Sequence, residues 1–124
     1  MTIQEFAATY RTKPRLDSCG EAIIPGKPRK AALLEDRNHI FEYGSGRFGV
    51  SLLLRTARHW NNARKRLVAG GFTVTQNGDT EGTLTFDPTD EKQSRAAIRA
   101  AGIRSLSLAQ IAQRAANYHH LRVA

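Results

Sequence analysis

A stretch in the middle of the chain alternates with a period of two, and this alternation limits the fold more than any other feature of the sequence. From position 48 to position 54 every second residue, beginning with Phe48, is large and apolar. Such a pattern is typical of a strand with one buried face. Residues 38–43 predict its hairpin partner, with the turn at Gly44-Ser45-Gly46. Strands that are joined by so short a turn must pair antiparallel.

A second hairpin is predicted further along the chain. Residues 72–76 and 83–86 alternate around a turn at 77–82 that contains asparagine, glycine and acidic residues. The side chains predicted to point inward are Phe72, Val74, Leu84 and Phe86. A short strand at 22–24 is predicted to extend the sheet beyond the two hairpins.

Between the hairpins, residues 56–69 predict an amphipathic helix. Thr56 is placed to cap its first turn, and Gly70-Gly71 terminates it. The stripe predicted to face the core consists of Trp60, Ala63 and Leu67. For Trp60, packing in the core is therefore favoured over stacking on a nucleic-acid base.

Capping signals predict three further helices. The first begins at a capping box on Thr2 and is ended by Pro14, the second runs from an Asp87 cap to Ala101, and the third begins at Ser107. The inward stripe of the third is predicted to be Leu108, Ile111, Ala112 and Ala115.

The element order α-β-ββ-α-ββ-α-α predicts an α+β fold: an antiparallel sheet built from two β-hairpins plus a short strand, with helices packed on one side. A chain of 124 residues is expected to form a single compact domain over 1–124. Within it we expect a basic loop-rich segment at about 11–37 and a frayed tail at 118–124.

The acidic residues are distributed unevenly. No carboxylate lies between Glu42 and Asp79, and none follows Glu91. The net charge is +8, and 14 of the 19 cationic residues are arginine, whose planar fork suits phosphate. These blocks favour a polyanionic partner, nucleic acid above all, although an arginine-rich composition also arises from a GC-rich genome.

The predicted nucleic-acid contacts centre on the helix at 56–69, and the protein is interpreted as non-enzymatic. The principal residues are Arg47, Arg55, Arg58, Asn62, Lys65 and Arg66. The secondary basic contacts are Arg11, Lys13, Arg15, Lys27, Arg29 and Lys30. The alternative for the helix is an ordinary solvated face whose cations favour its C-terminal end. DNA and RNA, and single and double strands, are not distinguished by the sequence.

A rival hypothesis uses the same charges. In it, the chain is a small protein of phage or mobile-element type that docks on an acidic surface of a larger protein or ribonucleoprotein complex. A strand face that carries His39, Phe41 and Tyr43 adds a conditional prediction, because single strands could stack on it if it is exposed. Oligomeric state is left open.

Catalytic, metal and cofactor motifs are not predicted. The glycine pattern at 44–49 is followed by a strand, not by the helix that a dinucleotide site needs. His39 and His59 could meet only if the fold brings them together. Cys19 is the single cysteine, so no internal disulfide is expected. Without a membrane span or a secretory-type start, the chain is expected to be cytoplasmic and to have no membrane partner.

Overall fold

The computed structural model describes residues 1–123, without the side chains of residues 114 and 117–123. The strands are β1 (Arg15–Leu16), β2 (Ala22–Pro25), β3 (His39–Gly44), β4 (Arg47–Leu53), β5 (Thr73–Asn77) and β6 (Glu81–Phe86). The helices are α1 (Ile3–Tyr10), α2 (Ala57–Ala69), α3 (Glu91–Ala101) and α4 (Leu108–Val123), with a 3-10 turn at Leu34–Asp36. The strands form one antiparallel sheet in the order β1-β2-β3-β4-β6-β5. The predicted α+β class is confirmed.

Both predicted hairpins are present, and their register creates one continuous apolar face. Ile40 of β3 lies opposite Val50 of β4, which lies opposite Leu84 of β6. Ile24 of β2 pairs with Ile40 and continues the row, as predicted for the short strand. These four side chains are fully buried. Strand β1 was not predicted, because two residues are too few to show a period.

The apolar face is covered by helices that contribute their own buried stripes. Phe6 of α1 packs against Phe48 and Phe86, with ring centroids 5.3 and 6.1 Å apart respectively. Ala97 and Ala101 of α3 are also fully buried. Because burial of apolar surface is the main driving force for folding, these contacts fix α1 and α3 on the same side of the sheet.

Helix α2 is anchored by Trp60. Thr56 caps the helix by accepting a hydrogen bond from the His59 amide, as predicted. Trp60 is fully buried, and its Nε1 donates to Asn77 Oδ1 at 2.8 Å. The indole lies directly over Gly82, where an added Cβ would come within 2.2 Å of the ring. The prediction that Trp60 packs in the core is therefore confirmed.

The ends of two helices differ from prediction. Helix α1 stops at Tyr10, because Arg11 takes the left-handed conformation, with φ of 55°, and caps the helix well before Pro14. Helix α3 is capped by Asp90, not by Asp87. Asp87 instead accepts hydrogen bonds from the backbone and hydroxyl of Thr89, a tight local turn that competes with helix initiation. The predicted stop after Ala101 is confirmed.

Helix α4 begins where predicted but does not pack as predicted. Ser107 and Gln110 form a reciprocal capping box. The proposed inward stripe is wrong: Leu108 is 71% exposed, Ile111 is 37% exposed, and Ala112 and Ala115 are exposed as well. The reason is that α1, α2 and α3 already cover the apolar face of the sheet.

The frayed tail at 118–124 stays a prediction, because its side chains, and Ala124 altogether, lie outside the described residues. Across the helices that the structure describes, none combines the length and apolarity needed to cross a membrane.

Candidate anion-binding surfaces

The outer face of α2 carries most of the predicted contact residues. Its core stripe turns Arg58, Asn62, Lys65 and Arg66 to the opposite side, and all four are exposed. Arg55, in the segment that leads into the helix, is exposed as well. The first turn of α2 contains no acidic residue. The structure therefore brings five of the six principal predicted residues onto one helix and its entry. We call them the α2 surface.

Arg64 has a different role from its neighbours. It is half-buried, and its Nη1 donates to the same Asn77 Oδ1 that accepts from Trp60, at 3.0 Å. This shared acceptor ties α2 to the end of β5. Arg64 therefore stabilises the position of the helix and is excluded from the α2 surface.

The cations of the α2 surface are not neutralised by ion pairs. Among the side chains that the structure describes, the one ion pair within 4.0 Å joins Arg95 to Glu91. Other carboxylates are engaged by backbone amides and hydroxyls: Asp17 accepts from Cys19 and Glu21 amides, and Asp90 caps α3. The described carboxylates therefore leave the cations of the α2 surface without an ion-pair partner.

Arg47 does not join the α2 surface. It starts β4 one position out of phase with the buried Phe48, so its side chain lies on the sheet face opposite the helices. There its Nε donates to Thr85 Oγ1 at 3.3 Å. The expectation that Arg47 neighbours the α2 cations is thus not supported by the fold.

We call the sheet face opposite the helices the open sheet face. It carries the aromatic residues that were conditionally predicted to stack. The rings of His39 and Phe41 are 5.6 Å apart, and those of Phe41 and Tyr43 are 6.4 Å apart. Tyr43 is 51% exposed, whereas Phe41 lies flat across Gly49 and is half-buried. This condition for stacking is met.

Carboxylates oppose a polyanion on this open sheet face. A cavity of about 420 Å³ beside Phe41 is lined in part by Asp17 and Glu21. A phosphate backbone that stacked its bases here would pass these negative charges. The electrostatics of the open sheet face therefore differ from those of the α2 surface, which lies on the other side of the sheet.

A second basic cluster lies where the edge of the sheet meets the segment after α3. A cleft of about 180 Å³ is lined by the cations Lys13, Arg15, Arg29, Arg37 and Arg104 and by the apolar residues Pro25, Ile103 and Leu106. None of its lining residues is acidic. We call this the five-cation cleft.

Three of these cations were predicted as secondary contacts, namely Lys13, Arg15 and Arg29. The other secondary residues, Arg11, Lys27 and Lys30, are exposed but do not line the cleft. Arg37 and Arg104 were missed as contacts. Arg37 follows two acidic residues that mask its charge in the sequence, and Arg104 is remote from the others along the chain. The acid-free block after Glu91 was the one available signal for Arg104.

Backbone hydrogen bonds assemble the five-cation cleft from distant segments. Leu106 donates to the Arg11 carbonyl at 2.7 Å, and Lys27 donates to the Ala101 carbonyl at 2.9 Å. Gly26 donates to the Asn38 carbonyl at 2.6 Å. The backbone segments that carry the five cations are therefore held together by the fold itself.

Arg37 is the most enclosed cation of the cleft. Its Nε donates to the Gly26 carbonyl at 2.6 Å, which fixes the guanidinium at the end of β2. Partial burial lowers the pKa of Arg37, and the positive charges of Arg29 and Arg15 lower it further. Burial and like charge therefore both disfavour the charged form of Arg37.

The histidines do not form a constellation. The Nδ1–H group of His39 donates to the Arg37 carbonyl oxygen, 2.7 Å away. His59 pairs with the Thr56 hydroxyl on α2, on the other side of the sheet. His119 and His120 lie outside the described side chains. Within the described part of the chain, no three histidine, cysteine or acidic residues are grouped to hold a metal ion.

Comparisons with known proteins add no relative to this description. No family model, curated protein or solved structure matches the chain.

Proposed function

We propose that the protein binds nucleic acid through phosphate contacts, without catalysing a reaction, and that the α2 surface is its main contact. The observation that supports this proposal is the row of exposed cations on α2 and its entry, none of which forms an ion pair with a described carboxylate. Such a row binds phosphates and releases their counterions, which favours association at low salt. Asn62, among the cations, is suited to contact a base edge.

The five-cation cleft and the exposed Lys27 and Lys30 add to the positive field that attracts a polyanion. Arg47 is left out of the proposed contact, because it lies on the sheet face opposite α2, where it donates to Thr85. We also propose that the protein acts in the cytoplasm.

The first test is a fluorescence-anisotropy titration of labelled duplex DNA, single-stranded DNA and RNA at two salt concentrations. We expect dissociation constants in the micromolar range or tighter that weaken as salt rises. The ranking of the three ligands identifies the preferred polymer. Absence of binding to all three at physiological salt contradicts the proposal.

A matched pair of variants locates the contact. The α2 triple variant carries Arg58→Gln, Lys65→Gln and Arg66→Gln. The α3 triple variant carries Lys92→Gln, Arg95→Gln and Arg99→Gln, and so removes the same charge from another exposed helix face. We expect the α2 triple variant to bind much more weakly than the α3 triple variant. Equal losses would mean that net charge, and not the α2 surface, governs binding.

A second candidate function is docking on an acidic surface of a larger protein or ribonucleoprotein complex, as a phage or mobile-element protein does. The exposed cations would meet the acidic groups of such a partner, and the exposed apolar stripe of α4, with Leu108 71% and Ile111 37% exposed, favours a protein partner. A docking protein of this kind would bind a folded partner and ignore free nucleic acid at physiological salt. The anisotropy titration therefore separates the two candidates.

A further inference from the structure

The five-cation cleft differs from an ordinary basic surface in its concentration of like charge. Five cations line a space of about 180 Å³, and no carboxylate lines it with them. Pockets for drug-sized ligands start at about 300 Å³, so this one is suited to a smaller group. Its remaining lining is apolar, from Pro25, Ile103 and Leu106, which strengthens electrostatic interactions inside it.

The cations of the five-cation cleft repel one another because they are held close together without a carboxylate among them. The Gly26 carbonyl holds Arg37 at its Nε, and partial burial, followed by the charges of Arg29 and Arg15, lowers the pKa of Arg37. An anion in the cleft would relieve this repulsion. Arginine forks bind phosphate oxygens in pairs, and four of the five cations are arginine.

We propose that the five-cation cleft is a binding site for a phosphate group, either inorganic phosphate or the terminal phosphate of a phosphomonoester. A phosphomonoester carries a charge of about −1.5 to −2 near pH 7, more than a phosphodiester, and so matches a cluster of several cations. The site is separate from the α2 surface. It does not depend on the proposed nucleic-acid binding.

The test uses inorganic phosphate and the full chain. Thermal unfolding is measured in phosphate and in chloride at equal ionic strength and pH, and phosphate affinity is measured by titration calorimetry. We expect phosphate at about tenfold its dissociation constant to raise the unfolding midpoint by about 4 °C. No rise in phosphate overturns the proposal.

The variant that tests the location is Arg29→Gln with Arg104→Gln. Both side chains are exposed, so their loss leaves the core and the Arg37 hydrogen bond in place. We expect phosphate affinity to fall by at least about tenfold, because each charge-assisted hydrogen bond contributes strongly. The control, Lys92→Gln with Arg99→Gln, removes the same charge outside the cleft and should bind phosphate normally. Equal loss in both variants, or in neither, overturns the proposal.

Two further comparisons identify the source of the phosphate and separate this site from the α2 surface. The protein is titrated with one oligonucleotide that has either a 5′-phosphate or a 5′-hydroxyl. If the parent protein prefers the phosphorylated form and the cleft variant does not, the ligand of the cleft is a terminal phosphate. If the parent binds both forms equally, the ligand is inorganic phosphate. The α2 triple variant should keep its response to inorganic phosphate even if its nucleic-acid binding is lost. Loss of that response would contradict the assignment to the cleft.

Discussion

Gly26 is the residue on which the assembly of the five-cation cleft depends most directly. An added Cβ would lie 1.9 Å from the Ala101 carbonyl oxygen and 3.1 Å from that of Asn38. Both neighbours are backbone atoms that cannot rotate away. The same glycine donates to Asn38 and accepts from Arg37. The close approach of three segments therefore requires a residue without a side chain.

Gly26→Ala should lower the free energy of unfolding by about 1 to 3 kcal/mol, the usual range for overpacking. Chemical denaturation measures the change, and calorimetry should show weaker phosphate binding in the same variant. Gly70→Ala is the control, because its nearest atom would lie at 3.3 Å and its φ is negative. Equal stability of the two variants would contradict this role for Gly26.

Asp87 gives a pH-dependent prediction. Hydrogen bonds from the hydroxyl and the backbone amide of Thr89 hold the pKa of the Asp87 carboxyl below its ordinary value. Since the pKa is lowered in the folded state, the stabilisation is present above the ordinary pKa and is lost as pH falls through the lowered pKa.

Thr89→Ala removes the hydroxyl, so the pKa of Asp87 should rise toward its ordinary value. An NMR titration of the Asp87 carboxyl carbon measures it. The stability difference between this variant and the parent should be present near neutral pH and shrink in acid. An unchanged pKa would show that the hydroxyl does not control the ionisation.

At the scale of elements, the period-two strands and the capped amphipathic helix were predictable because each pattern has one structural explanation. Phe48 and Leu84 had to face inward once their strands paired. The cap at Thr56 marked the start of α2, and Trp60 marked its buried stripe. The stripe on α4 has the same type of pattern but remains exposed. Local periodicity shows which face is apolar, but it does not show whether the sheet still has room for that face.

The candidate anion-binding surfaces were predictable only in part, because sequence patterns report local structure and not tertiary contacts. The α2 surface lies within one helix, so its residues share a face by sequence spacing alone. The five-cation cleft is assembled from segments around residues 13–15, 29, 37 and 104, and only the tertiary hydrogen bonds bring them together. Arg47 was grouped with α2 because it is near in sequence, yet strand phase places it on the other side of the sheet.

The open sheet face provides a test of which element binds single strands. Tyr43→Ala removes its most exposed aromatic ring, at 51% exposure. Base stacking on such a ring contributes about 1 to 3 kcal/mol to the binding free energy. We propose instead that α2 makes the main contact. Affinity for single-stranded DNA, measured by anisotropy, should therefore change by less than about twofold, a difference well below one stacked base. A tenfold loss would move the contact to the open sheet face.

For the whole molecule, the sheet separates two electrostatic environments. The helical side presents the α2 surface, whereas carboxylates line the cavity on the open side. The five-cation cleft lies near β2 and α2 packs on β6 and β5, which are three and four strand spacings from β2 in the sheet, or about 14 to 19 Å. At that separation one phosphate cannot touch both surfaces. Substitutions in the two should therefore have additive effects on nucleic-acid affinity.

The dependence of duplex DNA affinity on salt, measured for the parent protein and the two triple variants, shows whether the α2 surface contacts phosphates. Each lost phosphate contact lowers the slope of log K against log salt by about 0.9 for duplex DNA. The α2 triple variant should therefore lose about 2.7 units of slope if all three cations contact phosphates, and the α3 triple variant should keep the parent slope. An unchanged slope in the α2 triple variant would show that these three cations do not contact phosphates.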